Sequence, residues 1–432
     1  MSPLRLDQAA PGFEKEFSAF LGRNRDNDEN VDRVAAEIVA DVRARGDAAV
    51  AEYTKKFDKV EGALRITDAE RDAAAAKVPP ALREALEFAA RRIEAFHRAL
   101  LPKDVDFTDA TGTRLGARYR PVDSAGVYVP GGLAAYPSSV LMNIVPAKVA
   151  GVKRIVMVVP TPNGVLNPLV MLAARIAGAD EIWRIGGAQA VAALAYGTQS
   201  IRPVDKITGP GNAYVAAAKR RVFGQVGIDL IAGPSEILVV ADKHNDPAWI
   251  AADLLSQAEH DPSSQSVLIA DDSVFADAVA SAVDSQLKTL PRAEIARASW
   301  RDNGAIILVR DLAACAPVVD RIAAEHVELA MEMAPAEALS QKIAHAGAIF
   351  LGRHTPEAIG DYVAGTNHVL PTSRAARFSG GLGVADFLKR TSIVACTPEA
   401  LAALGPAALA LAEAEGLEAH GRSVSIRLNR QS

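Results

Sequence analysis

Cysteine is almost missing from the chain. Cys315 and Cys396 are the only two in 432 residues, far apart and without CxxC spacing, so neither a disulfide framework nor a thiolate zinc site can be assembled from them. That usage fits a reducing cytoplasm. A surplus of positive charge is missing too: 47 Lys and Arg stand against 52 Asp and Glu, for a net charge of -5. Nothing electrostatic then favours nucleic acid or an anionic membrane as partner. Long apolar runs are absent, because Gly, Pro or charge breaks each one before membrane-spanning length, and the opening MSPLRLDQAAPGFEKEF has no continuous apolar core of signal-peptide length. Neither export nor membrane insertion is expected. No repeat of solenoid period and no low-complexity tract is visible.

What is present is ample apolar material, half of all residues, in a chain long enough for two or three domains. Residues 1–22 are short and mixed and read as an arm. Helical spacing of Val31, Val34, Ile38, Val42 and Val50 predicts a long amphipathic helix from Asn30 to Phe57, interrupted at Gly46 and Asp47, and a second runs from Ala81 to Leu101. Past Arg120, short β-branched runs alternate with helical segments: 126–129, 154–159, 181–185, 228–231, 236–241, 266–270, 305–309 and 348–351. This alternation predicts parallel α/β sheets, and runs such as IVMVV and AIILV fit strands covered on both faces. At least eight strands predict two doubly wound units with a seam near Ser235 and Glu236. After Gly383 the strands are expected to stop, leaving an Ala/Leu-rich helix from Pro398 to Glu415 and a polar tail.

Polar chemistry concentrates in a few places. The stretch 360–372, GDYVAGTNHVLPT, sets Asp361 and His368 on a Gly-punctuated loop, as a metal ligand beside a substrate contact or as a turn that satisfies only its own backbone. Four Gly-containing turns, at 129–139, 185–197, 208–220 and 232–236, follow strand signals and could offer backbone N–H groups to phosphate, or simply close the sheets. None is a GxGxxG fingerprint. In DLLSQAEHD, Gln257 and His260 would share one face at a helix end, as metal ligands or as a polar cap. Glu325 and His326 offer a base and an acid at adjacent positions, and neighbours on a strand point to opposite faces, so both can line one pocket only where a strand begins or the chain turns. The tail adds Glu415 and His420. His97, His244, His345 and His354 lack an acidic or amide companion set and receive no role.

Taken together and in order, VYVPGG, GGAQA, DKITGPGNAYV, AGPSE, LLSQAEHD, EHVEL, GDYVAGTNHVLPT, LGVADFLKR and EGLEAH resemble the histidinol dehydrogenase family along nearly the whole chain from about residue 30. The resemblance implies an NAD- and zinc-dependent enzyme that oxidises L-histidinol to L-histidine through a bound aldehyde, the last step of histidine synthesis. It implies Gln257, His260, Asp361 and His420 as zinc ligands, Glu325 and His326 as the acid/base pair, and Ser235, His368 and Glu415 as further substrate contacts beside Gln257, His260, His326, Asp361 and His420. Tyr128, Gln189 and Asn212 would contact NAD. The implied fold is α/β, a homodimer of two incomplete Rossmann-like, doubly wound domains with small terminal arms exchanged between subunits. Its expected parts are an N-terminal arm at 1–22, a domain of 23–128 plus 237–382 carrying most metal and acid/base residues, a nested NAD domain at 129–236, and a C-terminal helical arm at 383–432 that completes the other subunit's site. A related branch of the family oxidises other small alcohols, including sulfonated diols, and a zinc hydrolase is the reading from a different class. Neither cysteine falls in any of these motifs, so a thiohemiacetal route is not expected.

Overall fold

The computed structural model describes residues 3–23, 29–131, 136–231 and 233–428. Its near-continuous apolar runs become the central strands of two six-stranded sheets, buried on both faces. The first sheet runs Leu4–Asp7, Ala305–Leu308, Gln265–Ala270, Glu236–Ala241, His326–Ala330, Ala348–Leu351, with all neighbours parallel. The second runs Arg65–Ile66, Glu181–Trp183, Arg154–Val158, Ser124–Tyr128, Lys206–Thr208, Gly227–Ile228, and only its Arg65–Ile66 edge is antiparallel. Numbered in chain order within each sheet, the strands of both follow 1-4-3-2-5-6. The same winding therefore occurs twice, although the sequence carries no visible repeat. In each sheet the chain leaves strand 2 in one direction and strand 5 in the other, which opens a crevice between those two strands, the usual place for a ligand in an open α/β sheet.

Several expectations need correcting. The helices Glu29–Arg45, Asp47–Asp58, Asp68–Ala75 and Pro80–Ala99 cover the second sheet and not the first: Val42 and Val50 pack with Trp183 and Val191, and Ala89 and Ile93 with Leu141 and Ile155. Residues 29–99 and 124–128 thus join 136–231, against the expected division at 23–128 and 129–236. An amphipathic stripe says that a helix needs a partner, and not which sheet supplies it. Residues 3–22, expected as part of an arm, are built into the first unit. Leu4–Asp7 is an edge strand of the first sheet, and Phe13, Phe17 and Phe20 are buried in the same core as Val318 and Ile322. Strands continue past Gly383: Leu388–Ala395 forms an antiparallel sheet with Arg114–Pro121 and Val105–Thr108. These strands are largely exposed and polar, so they lack the apolar run that marks a buried strand.

The seam falls where Gly233 and Pro234 predict it, between Gly227–Ile228 of one sheet and Glu236–Ala241 of the other. The loop after Tyr362 ties the two units together. Asn367 donates from Nδ2 to the Met142 carbonyl at 2.6 Å and accepts the Val369 N–H at 2.9 Å, and Val369, Leu382 and Phe387 are buried with the core around Leu141 and Ile144.

Candidate active site

The acid/base candidates sit where a strand begins. His326 is the first residue of His326–Ala330 and pairs in register with Ile237, so Glu325 precedes the strand and both side chains reach the same buried space at the amino ends of strands 2 and 5. His326 Nδ1 lies 3.0 Å from the Glu236 carbonyl oxygen. A carbonyl only accepts, so Nδ1 carries the hydrogen and Nε2 keeps its lone pair in the neutral ring. Among the described residues that Nε2 has no hydrogen-bond partner, and it faces Glu357 Oε1 and Asp361 Oδ1, each at 3.7 Å. Glu325 accepts the Glu236 N–H at Oε2, 2.9 Å away, and the same oxygen is 3.7 Å from His326 Nδ1.

Two neighbouring elements supply the rest. The helix Pro247–Ala258 runs back from strand 2 and delivers buried Gln257 at its end, with Gln257 Oε1 lacking a partner among the described residues; His260 follows the helix, exposed at its end. The helix Glu357–Tyr362 presents Glu357 and Asp361 at i and i+4 on one face. Gly360 lies between them because a Cβ there would come 2.5 Å from the Phe350 ring. Gly365 ends the turn at φ +103, and a Cβ would meet the Arg92 carbonyl oxygen at 2.9 Å, while the Arg92 guanidinium binds the Val363 and Ala364 carbonyls at 2.6 and 2.9 Å. This bend brings His368 Nδ1 to 3.7 Å from Asp361 Oδ1 and its Nε2 to 3.2 Å from Ser139 Oγ, at the start of helix Pro137–Ala150 in the other unit. Ser235 stands just before strand 2, its carbonyl accepting the Gln265 N–H at 2.9 Å.

Charge in this space is strongly conditioned. Burial pushes Glu325 up to about 8, opposed by His326 and the Glu236 N–H. Burial disfavours a charged His326, yet Glu325, Asp361 and Glu357 together outweigh it and push the imidazole up to about 10. Burial also works against a charged Asp361, but His326 and His368 prevail and hold it near 2, whereas burial and the Asp361 charge raise Glu357 to about 7. His260 and His368 are both lowered, first by burial. Groups of opposite sign whose proton affinities are pulled this far apart mark a site built for proton transfer.

The residues expected as metal ligands are only partly gathered. Gln257 is close enough to Glu357 to oppose the rise in its pKa, and His260 is close enough to Asp361 and His326 to feel both charges. Among the described residues, the His, Cys, Asp and Glu atoms close enough to share one ion are those of His326, Glu357 and Asp361; His260 and His420 are outside that group. Glu415 caps helix Pro398–Ala414 and His420 lies on Glu418–Leu428, both exposed. Free oxygens on Gln257 and Glu357, the bare His326 Nε2 and the Asp361 carboxylate make a donor set of nitrogen and oxygen that fits zinc or another first-row divalent ion. Sequence reasoning missed Glu357, Glu236 and Ser139. The Glu-x-x-x-Asp spacing of Glu357 and Asp361 was the available signal for the first.

The expected cofactor residues collect at the carboxyl ends of strands 2 and 5 of the second sheet. Tyr128 accepts the Gly187 N–H at 3.0 Å, two residues before buried Gln189, whose Oε1 has no partner among the described residues. Gly209 at φ +110 lies so close that a Cβ would come 2.1 Å from the Tyr128 carbonyl oxygen. The turn is clamped by a buried ion pair: Asp229 accepts the Gly209 N–H at 2.8 Å, Lys219 donates to the Gly209 carbonyl at 3.0 Å, and Lys219 and Asp229 bond one another. Asn212 then caps helix Ala213–Val222, accepting the Tyr214 and Val215 N–H groups.

The family model for histidinol dehydrogenase matches residues 21–428. The chain belongs to the histidinol dehydrogenase family. The histidinol dehydrogenase of Rhodospirillum rubrum is 64% identical over 99% of both chains, and that of Ruegeria pomeroyi is 62% identical over the same shares. Among solved structures, histidinol dehydrogenase from Elizabethkingia anophelis superposes with a TM-score of 0.94 at 36% identity, covering 99% of this chain and 98% of that one. Membership in the histidinol dehydrogenase family makes the chain an oxidoreductase of histidine biosynthesis with a small-molecule substrate. No helix among the described residues is long and apolar enough to cross a membrane.

Proposed function

We propose that the chain oxidises L-histidinol to L-histidine in two successive two-electron steps through L-histidinaldehyde that stays in the site, with two NAD consumed, one water added and three protons released. The observation that carries this reading is the His326 ring, held by Nδ1 on the Glu236 carbonyl with Nε2 turned toward Asp361 and Glu357 beside buried Glu325. With divalent-cation charge offsetting Asp361 and Glu357, two of the groups that favour the His326 cation, Nε2 would be freed to take the alcohol proton in the first oxidation and Glu325 to take one from the water that adds to the aldehyde. Gln257, His260 and Asp361, joined by His420 from a second copy of the chain, would hold zinc, and Ser235, His368 and Glu415 would position substrate around it. When bound, zinc supplies Lewis-acid positioning of the substrate's imidazole and amine, and NAD accepts hydride. Tyr128, Gln189 and Asn212 would receive NAD; the inner strand order 3-2-1-4-5 of the second sheet, as in dinucleotide-binding folds, supports this.

Neither cysteine serves as nucleophile in this scheme. Cys315 is buried in the first core with its thiol pushed up to about 12 by burial, and Cys396 is exposed near the C-terminal helices. Exposed Leu404, Leu411 and Ile426 on those helices, with Leu417 between them, support a homodimer in which the C-terminal arm packs on the partner and carries Glu415 and His420 to its site. Cytoplasmic residence follows from the reaction's cofactor and the thiol usage. NADH formation with L-histidinol, other amino alcohols and a sulfonated diol, each with and without chelator, tests the reading. Chelator-sensitive turnover of histidinol is expected; activity on the sulfonated diol alone would reassign the substrate.

A further inference from the structure

We propose that Asp58 reads the adenosine ribose of the dinucleotide and sets a preference for NAD over its 2′-phosphorylated form. The inference rests on the cofactor reading above and adds to it a residue that no sequence motif singled out. Asp58 ends helix Asp47–Asp58 with 8% of its surface exposed, and its Oδ2 has no hydrogen-bond partner among the described residues. The basic side chains beside it are engaged elsewhere: Lys59 Nζ on the Lys56 carbonyl at 2.8 Å, Lys55 on Glu61 at 3.1 Å, and Lys56 over the Phe57 ring. A buried carboxylate without a partner costs stability, so an Asp kept here for folding alone would be better replaced by its amide. Burial raises its pKa with no opposing contribution from a partner.

Its surroundings match a ribose. The helix packs against the turn Pro162–Gly164 that follows strand Arg154–Val158, and Asp58 is near enough to Tyr128 for its charge to act on the phenol. Thr161 Oγ1 and Gln189 Oε1, at the same carboxyl edge of the second sheet, are likewise buried without partners among the described residues. A vicinal diol supplies two O–H donors to a carboxylate, whereas a 2′-phosphate would meet it as a like charge in a desolvated place. The adenosine end is the one concerned. The reacting end must reach His326, and the two units touch through Ser139 and His368, beyond strand Ser124–Tyr128; Asp58 lies outward, beside the loop after the next strand.

The test is calorimetric binding of NAD, NADP and the 2′-deoxyadenosine analogue of NAD to the wild-type enzyme and to Asp58→Asn, with steady-state kinetics on the same preparations. NAD binding by the variant should weaken about 10- to 100-fold, the range for a hydrogen bond to a charged group, while NADP binding holds or tightens. The analogue should bind wild type as weakly as NAD binds the variant, and the variant should not distinguish the two. The KM for NAD should rise with kcat and the KM for histidinol unmoved, and the melting temperature should hold or rise. Equal binding of NAD and the analogue to wild type overturns the assignment of Asp58, whatever the variant's folding. Absence of any NAD binding by wild type would overturn the cofactor reading along with it.

Discussion

His326 carries the most chemistry per atom in this chain. Its Nδ1 is committed to the Glu236 carbonyl, so Nε2 can serve either as the base or as a metal ligand beside Glu357 and Asp361. The two roles separate experimentally. As the base, His326→Asn should lose about 100- to 10,000-fold in kcat with bound metal, measured by atomic emission, unchanged; loss of the metal would make it a ligand instead. At this scale much was legible in sequence, because Glu325, His326, Gln257 and Asp361 are polar residues in otherwise apolar or Gly-bent contexts. Glu357 was not, since a Glu at a helix start is ordinary and only burial to 1% exposure makes it unusual.

Elements are joined here by carboxyls as well as by apolar contact. Two residues past His326 on the same strand, Glu328 is buried and faces Asp253 on helix Pro247–Ala258, and the Glu357 N–H also approaches it. Burial and the Asp253 charge push Glu328 up to about 9, far above its ordinary 4.5. The folded protein therefore keeps a proton that the unfolded chain releases. Stability from this group is fully present below about pH 4.5 and falls as pH rises toward 9, by at most about 1.4 kcal/mol per pH unit. Glu328→Gln should flatten the decline of melting temperature between pH 5 and 9; an unchanged slope would place the proton elsewhere. The strand itself, HVELA, was hidden from sequence by this same polarity, and KIT at 206–208 by its brevity. Glu236–Ala241 and Ala348–Leu351, apolar and bounded by Gly or Pro, were readable to the residue.

The whole molecule holds two sheets of identical strand order, with the candidate acid/base site at the amino end of one crevice and the candidate cofactor site at the carboxyl end of the other. Sequence alone indicated two α/β units and their seam. It misassigned the helices of residues 29–99 and the first strand, because apolar stripes on helices do not name the sheet they cover, and an edge strand of four residues has too little pattern to count. Glu415 and His420, exposed on the C-terminal helices, make their own prediction. If arms are exchanged, inactive His326→Asn and His420→Asn chains, mixed and refolded together, should regain up to about a quarter of wild-type activity from one intact site per mixed dimer. No recovery would mean that each chain completes its own site.

Most direct of all is the ratio of NADH formed to L-histidinol consumed, followed to completion with purified enzyme while free aldehyde is trapped and assayed. The account predicts two NADH per histidinol with no trapped aldehyde. A ratio of one, with histidinaldehyde released in equal amount, would contradict it.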